Sequence, residues 1–162
     1  MDRSKQRGFS LIELLIVVAI IGIIAAIAVP KLLVAQQAAH ETAAFVEVQT
    51  IGKSQVLYSL TKGKGKYSDL AGLGAQSLID QALASGNKGG YVFACAAIES
   101  DALRPMFDTT AKPSSTGTFG SGNRSYYSNE TLMEIVYESD GGEPPTATPQ
   151  DRLPKNGNQR TQ

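Results

Sequence analysis

The chain has 162 residues, with 15 Lys and Arg balanced by 15 Asp and Glu, one histidine and one cysteine. That balance argues against a general nucleic-acid binder, which needs a strongly basic domain. The single cysteine excludes an intrachain disulfide, and one histidine with one cysteine cannot build the usual zinc sites.

The first element is an apolar run from Phe9 to Pro30, in which Glu13 is the sole charged residue. As a helix its 22 residues would reach roughly 33 Å, against about 30 Å for a bilayer core. A secretory signal peptide fits poorly. Its apolar region is shorter and ends at a small-residue cleavage site, whereas this run ends in Val29-Pro30-Lys31-Leu32-Leu33. A membrane anchor fits better, with Arg3, Lys5 and Arg7 holding the N-terminus in the cytoplasm. A plain anchor has no use for Glu13, because an acid at membrane depth costs about 2.5–3.5 kcal/mol. Either Glu13 finds a cationic partner, or it snorkels to the cytoplasmic headgroups.

Gly8-Phe9-Ser10-Leu11-Ile12-Glu13, behind a short basic leader and ahead of the apolar helix, resembles the processing site of type IV pilins and type II secretion pseudopilins. The resemblance implies that a prepilin peptidase cuts between Gly8 and Phe9 and methylates the new amine of Phe9. It also implies an inner-membrane precursor, embedded in lipid with its N-terminus cytoplasmic. An assembly platform then draws this precursor into a helical homopolymer, a pilus or a pilus-like filament. The acid then has a purpose: the Phe9 amine and Glu13 of a neighbour are each costly alone in an apolar bundle, and together form a satisfied pair. Gly22 and Pro30 interrupt the helix in chemistry. By resemblance the stretch between them melts in the filament; a simple kink at Pro30 is equally compatible. Many pilins staple a C-terminal loop with two cysteines, and this chain departs from that pattern.

Beyond Pro30 the helix is predicted to continue to about Leu60, ended by Lys62-Gly63-Lys64-Gly65-Lys66. One apolar stripe holds Val34, Ala38, Phe45, Val48 and Val56. A second holds Leu32, Ala35, Ala39, Val46, Leu57 and Leu60. A surface helix needs only one, so one stripe is assigned to the domain core and the other to neighbouring subunits, with a single broad core face as the alternative. Ala75–Ser85 reads as a short helix and Tyr91–Ala96 as a strand. Residues from Ser100 to Gly122, rich in Pro, Ser, Thr and Gly, read as a loop. Arg124–Ser128 and Leu132–Tyr137 read as a hairpin, completing a three-stranded antiparallel sheet. From Asp140 the chain is almost without apolar residues and reads as a flexible tail. The predicted organisation is a leader at 1–8, a membrane and assembly helix at 9–30, a pilin-like domain at 31–139 and a tail at 140–162. The predicted class is α+β, a long N-terminal helix packed on a small antiparallel sheet.

No catalytic constellation is visible, and no enzymatic activity is expected. His40 reads as a solvated or interfacial residue. Cys95 reads as a small core residue without a basic partner, and Ser10, Ser114 and Ser115 have no base to activate them. Major pseudopilins often bind calcium in a C-terminal loop. Here Glu138, Asp140 and Glu143 cluster, with Asp101 and Asp108 upstream, but their spacing matches no calcium loop and an ion needs six to eight oxygens. A solvated acidic turn is expected, and no cofactor. Lys62, Lys64 and Lys66 read as a solvated helix end rather than a DNA patch. The expected function is that of a structural filament subunit. The alternatives are a type II secretion pseudopilin, a minor pilin that binds DNA or surfaces, and an anchored domain that never polymerises.

Overall fold

A computed structural model describes residues 9–100, 103–131, 136–140, 143–144 and 158–160. The chain divides into two compact units, Met1–Ala35 and Gln36–Gln162. Helix α1, Leu11–Thr61, contributes to both.

In the first unit, α1 is apolar on every face. Its side chains from Leu11 to Ala35 are exposed except for half-buried Leu33. This is the one helix among the described residues long and apolar enough to cross a membrane. Gly22 and Pro30 both lie inside continuous helix. The leader, with Gly8, falls outside the described residues.

In the second unit, α1 becomes sided. Ala44, Phe45, Val48 and Ile51 enter the core, and the polar Gln49, Ser54 and Gln55 enter with them. The helix ends as expected at Thr61. Lys62 N–H and Gly63 N–H both donate to the Tyr58 carbonyl, at 2.9 and 2.7 Å, and Gly65 N–H reaches the Ser59 carbonyl at 3.0 Å. Of the two predicted stripes, the second is exposed throughout. The first is only partly internal: Phe45 and Val48 are buried, but Val34 and Ala38 are exposed. Apolar packing on this helix begins at Ala44, because polar partners take over nearer its start.

The predicted helix at Ala75–Ser85 is corrected to two short ones, α2 (Leu70–Ala75) and α3 (Gln81–Ala84). Each has an aspartate cap: Asp69 accepts from Gly72 N–H at 2.8 Å and Asp80 from Leu83 N–H at 3.0 Å. Ser77, with φ of 56°, turns the chain between them. Capping carboxylates attract orphan amide protons more strongly than the apolar pattern alone suggests.

Among the described residues the sheet has six strands rather than three, all antiparallel and in chain order. They are β1 (Asn87–Lys88), β2 (Tyr91–Ser100), β3 (Leu103–Pro113), β4 (Arg124–Asn129), β5 (Val136–Asp140) and β6 (Asn158–Arg160). The predicted loop at Ser100–Gly122 is thus largely strand. Pro105 and Pro113 argue against a strand by removing ladder donors. The structure places Pro113 at the strand's last residue and Pro105 beside the register slip between Ile98 and Ser100. Between them, Met106, Phe107, Thr109 and Ala111 are buried. The predicted strand at Leu132–Tyr137 is found from Val136 onward and continues to Asp140; 132–135 lie outside the described residues. Part of the predicted tail is ordered too, because Asn158–Arg160 pair with Val136–Glu138. Main-chain hydrogen bonding needs no apolar side chains, so composition missed it. Of the rest of the tail, Asp140 ends β5 and residues 143–144 are described; 141–142, 145–157 and 161–162 fall outside the described residues.

Helix and sheet meet in one core, where Phe45, Val48 and Ile51 of α1 pack with Leu73, Leu83, Tyr91, Phe93, Ala111 and Tyr126. Phe45 and Tyr91 each lie 6.1 Å from the Tyr126 ring. The class is α+β, as the sequence predicts.

Candidate assembly site

The start of α1 carries a reciprocal cap. Ser10 precedes the first helical residue, and its carbonyl accepts from Leu14 N–H at 3.3 Å. Its hydroxyl accepts from Ile12 N–H at 3.4 Å, while a Glu13 carboxylate oxygen accepts from Ser10 N–H at 2.9 Å. This is a variant of the capping box: the Glu13 carboxylate reaches back to the Ser10 N–H as in that motif, while the Ser10 hydroxyl takes the Ile12 N–H instead of that of Glu13. The Ser-x-x-Glu spacing was legible in the sequence and went unused there. It gives Glu13 a local partner for one oxygen and places its charge at the positive end of the helix dipole. Phe9, directly before the cap, is 85% exposed. An acid and an aromatic N-flank therefore stand together at one end of an unpaired apolar helix.

The other sequence candidates lie apart from this end in the chain. His40 is half-buried on α1. Cys95 is held by Gln55, whose Nε2 donates to the sulfur at 2.9 Å, and by Thr109, whose hydroxyl donates at 3.4 Å. Burial raises its pKa, so the thiol stays protonated and unreactive at neutral pH. Lys66 pairs with Glu99 at 2.9 Å, while Lys62 and Lys64 are exposed at the helix end. Asp108 accepts from the Tyr127 hydroxyl at 2.6 Å, and Glu143 pairs with Lys112. Asp140 ends β5, whereas Asp101 and the Glu138 side chain lie outside the described residues. Among the described residues no group of three or more His, Cys, Asp or Glu side chains is placed to hold a metal.

Sequence reading missed three polar positions that organise the second unit. Gln55 is fully buried; its Oε1 accepts from Ser68 N–H at 3.0 Å and its Nε2 donates to the Ser68 carbonyl. Lys88 bridges Glu47 of α1 and the Asp80 cap, 2.6 Å from the latter. The Lys88 hydrogen bond, aided by Leu83 N–H, lowers the Asp80 pKa. Burial opposes the charge on Lys88, but the carboxylates of Asp80 and Glu47 outweigh it and raise its pKa. Finally, Glu41 accepts from Asn123 N–H at 2.9 Å and lies 3.7 Å from Arg124, fastening the β3–β4 connection to the helix. Glutamines and paired ions in a helix carry no period, so no pattern flags them.

Residues 3–29 match the family model of the prokaryotic N-terminal methylation motif. The chain is 40% identical over 93 residues to the type IV major pilin protein of Myxococcus xanthus, covering 57% of this chain and 39% of that one. It is 43% identical over 56 residues to the major component of the type IV wide pilus of Thermus thermophilus, covering 35% of this chain and 43% of that one. It is 38% identical over 60 residues to the type II secretion system core protein G of Pseudomonas aeruginosa, covering 37% and 42% respectively. The matches thus span about two fifths of the length of these relatives. No solved structure matches significantly.

Proposed function

We propose that the chain is the structural subunit of a type IV pilus, supported by its match to the prokaryotic N-terminal methylation motif and its likeness to type IV pilins. The observation that carries this reading is a helix apolar on all sides, exposed on all sides, and headed by Phe9 and a capped Glu13. Burying roughly 25 cal/mol per Å² of such a surface favours lipid before assembly and neighbouring helices after it. The precursor waits in the inner membrane with its basic leader cytoplasmic. Peptidase cleavage between Gly8 and Phe9 removes Asp2, Arg3, Lys5 and Arg7 and creates a cationic amine, which methylation leaves charged. That amine then pairs with Glu13 of an adjacent subunit and sets the register of the bundle. The role is mechanical, with no reaction performed by this chain.

Mass analysis of subunits from purified surface filaments tests the scheme. The expected subunit begins at Phe9 and carries a methyl group on its amine; filaments whose subunits retain Met1–Gly8 would overturn it. Glu13→Val should insert in the membrane normally and be absent from filaments. A variant that assembles like the wild type removes the pairing step. A secretion pseudopilus is the second reading, supported by the likeness to core protein G. It predicts periplasmic rather than surface filaments, and a defect in protein secretion on deletion.

A further inference from the structure

The connection between β3 and β4 is built to hold an aromatic ring in solvent. Ser121 N–H donates to the Ser115 carbonyl at 2.9 Å and to its hydroxyl at 3.1 Å, and Ser115 N–H donates to the Ser121 hydroxyl at 3.2 Å. Within this clasp Gly120 N–H reaches the Gly117 carbonyl at 3.0 Å, closing a turn with Thr118 and Phe119 at its tip. A side chain at Gly120 would put its Cβ 2.5 Å from the Ser115 carbonyl oxygen, so the tight approach requires glycine there. The Gln37 side-chain amide donates to the carbonyls of both Gly117 and Gly120, tying the turn to α1. The result is a Phe119 that is 84% exposed.

These bonds order the backbone of the turn that carries the ring. A tip already ordered loses little conformational freedom on docking. Residues 113–123 carry no charge, whereas a membrane-seeking loop uses Lys or Arg to meet anionic headgroups. An aromatic ring among Ser, Gly and Asn is similar to the composition of antibody paratope loops, where Tyr and Trp supply the ring. Gln37 and Glu41 lie in the first two turns of the second unit's helix, next in sequence to the apolar segment that the proposed filament covers with neighbours. The same unit offers exposed apolar side chains as acceptors, namely Val46, Leu57 and Leu60 on α1 and Val92 on β2. A knob and an acceptor on different patches of one chain make a head-to-tail contact, the kind that propagates filaments.

We propose that Phe119 docks on a second copy of this chain, locking adjacent subunits of the filament; this rests on the filament reading above. A benzophenone side chain introduced at position 119 of the full chain, irradiated in sheared filaments, should give covalent dimers of this chain. Phe119→Ser should leave the thermal unfolding of the detergent-solubilised chain unchanged, yet release subunits from filaments in detergent about tenfold faster, as expected for a lost aromatic anchor. Crosslinks only to lipid or to a different protein, or variant filaments as resistant as the wild type, overturn the proposal. If wild-type filaments contain the chain and these results fail, this contact alone is wrong. If the wild-type chain enters no filament, both readings fall.

Discussion

Residues 11–35 and 36–61 of α1 are helical alike, but their surfaces obey different rules. The first stretch is apolar around its whole circumference, and only Leu33 is even half-buried. The second divides into a face holding Ala44, Phe45, Val48, Ile51 and Gln55 and a face holding Ala39, Val46, Leu57 and Leu60 in solvent. A helix apolar all round needs an apolar solvent or partner on every side. A two-sided helix needs its own domain on one side only. Burial within the chain therefore explains half of this helix, and the other half, together with the exposed stripe, requires something outside it.

That comparison can be broken from the core outward. Phe45→Ala, which removes the ring packed on Tyr126, should destabilise the second unit by about 3–5 kcal/mol, read as a lowered unfolding midpoint of the detergent-solubilised chain. Membrane insertion should not change, since the α1 residues of that unit's core begin at Ala44. Gln55→Ala leaves the half-buried Ser68 N–H without its partner and the Ser68 carbonyl with only the weak Cys95 thiol at 3.8 Å. It should cost about 1–3 kcal/mol by the same assay, and a neutral result would show that the clasp is incidental.

Asp80→Ala removes the α3 cap and should cost about 1 kcal/mol. The same junction has a pH signature. The folded Asp80 pKa lies below its unfolded value near 3.8, so its contribution is present above that value and is lost as pH falls through the folded pKa. The folded Lys88 pKa lies above 10.5, so its contribution is full below 10.5 and is lost as pH rises through the folded pKa. Melting points should therefore fall at both extremes, and Asp80→Asn should flatten the acid limb. Smallest in stability is Val46→Gln, on the exposed stripe, expected within about 0.5 kcal/mol of wild type. It should nonetheless lower the amount of chain recovered in filaments. Equal recovery would mean that the stripe is ordinary surface.

The apolar N-terminal helix, the motif hexapeptide around Gly8 and Phe9, the end of α1 at Thr61 and the β2 and β4 strands were all legible without coordinates. Each rests on local chemistry: an unbroken apolar run, a charge out of place, glycines after a helix, or β-branched and aromatic clusters. The split of the Ala75–Ser85 helix turned on local caps at Asp69 and Asp80, and the other failures depended on partners distant in sequence. Leu103–Pro113 is a strand because β2 and β4 flank it and its prolines sit where no ladder donor is needed. Asn158–Arg160 is a strand because β5 offers an edge. Gln37, Glu41, Gln55 and Lys88 matter only through groups up to 83 residues away. Local sequence determined which segments shun water and where the helix must stop. Tertiary structure alone decided which polar groups meet, because a hydrogen bond depends on where its two ends are brought in space and leaves no period in the chain.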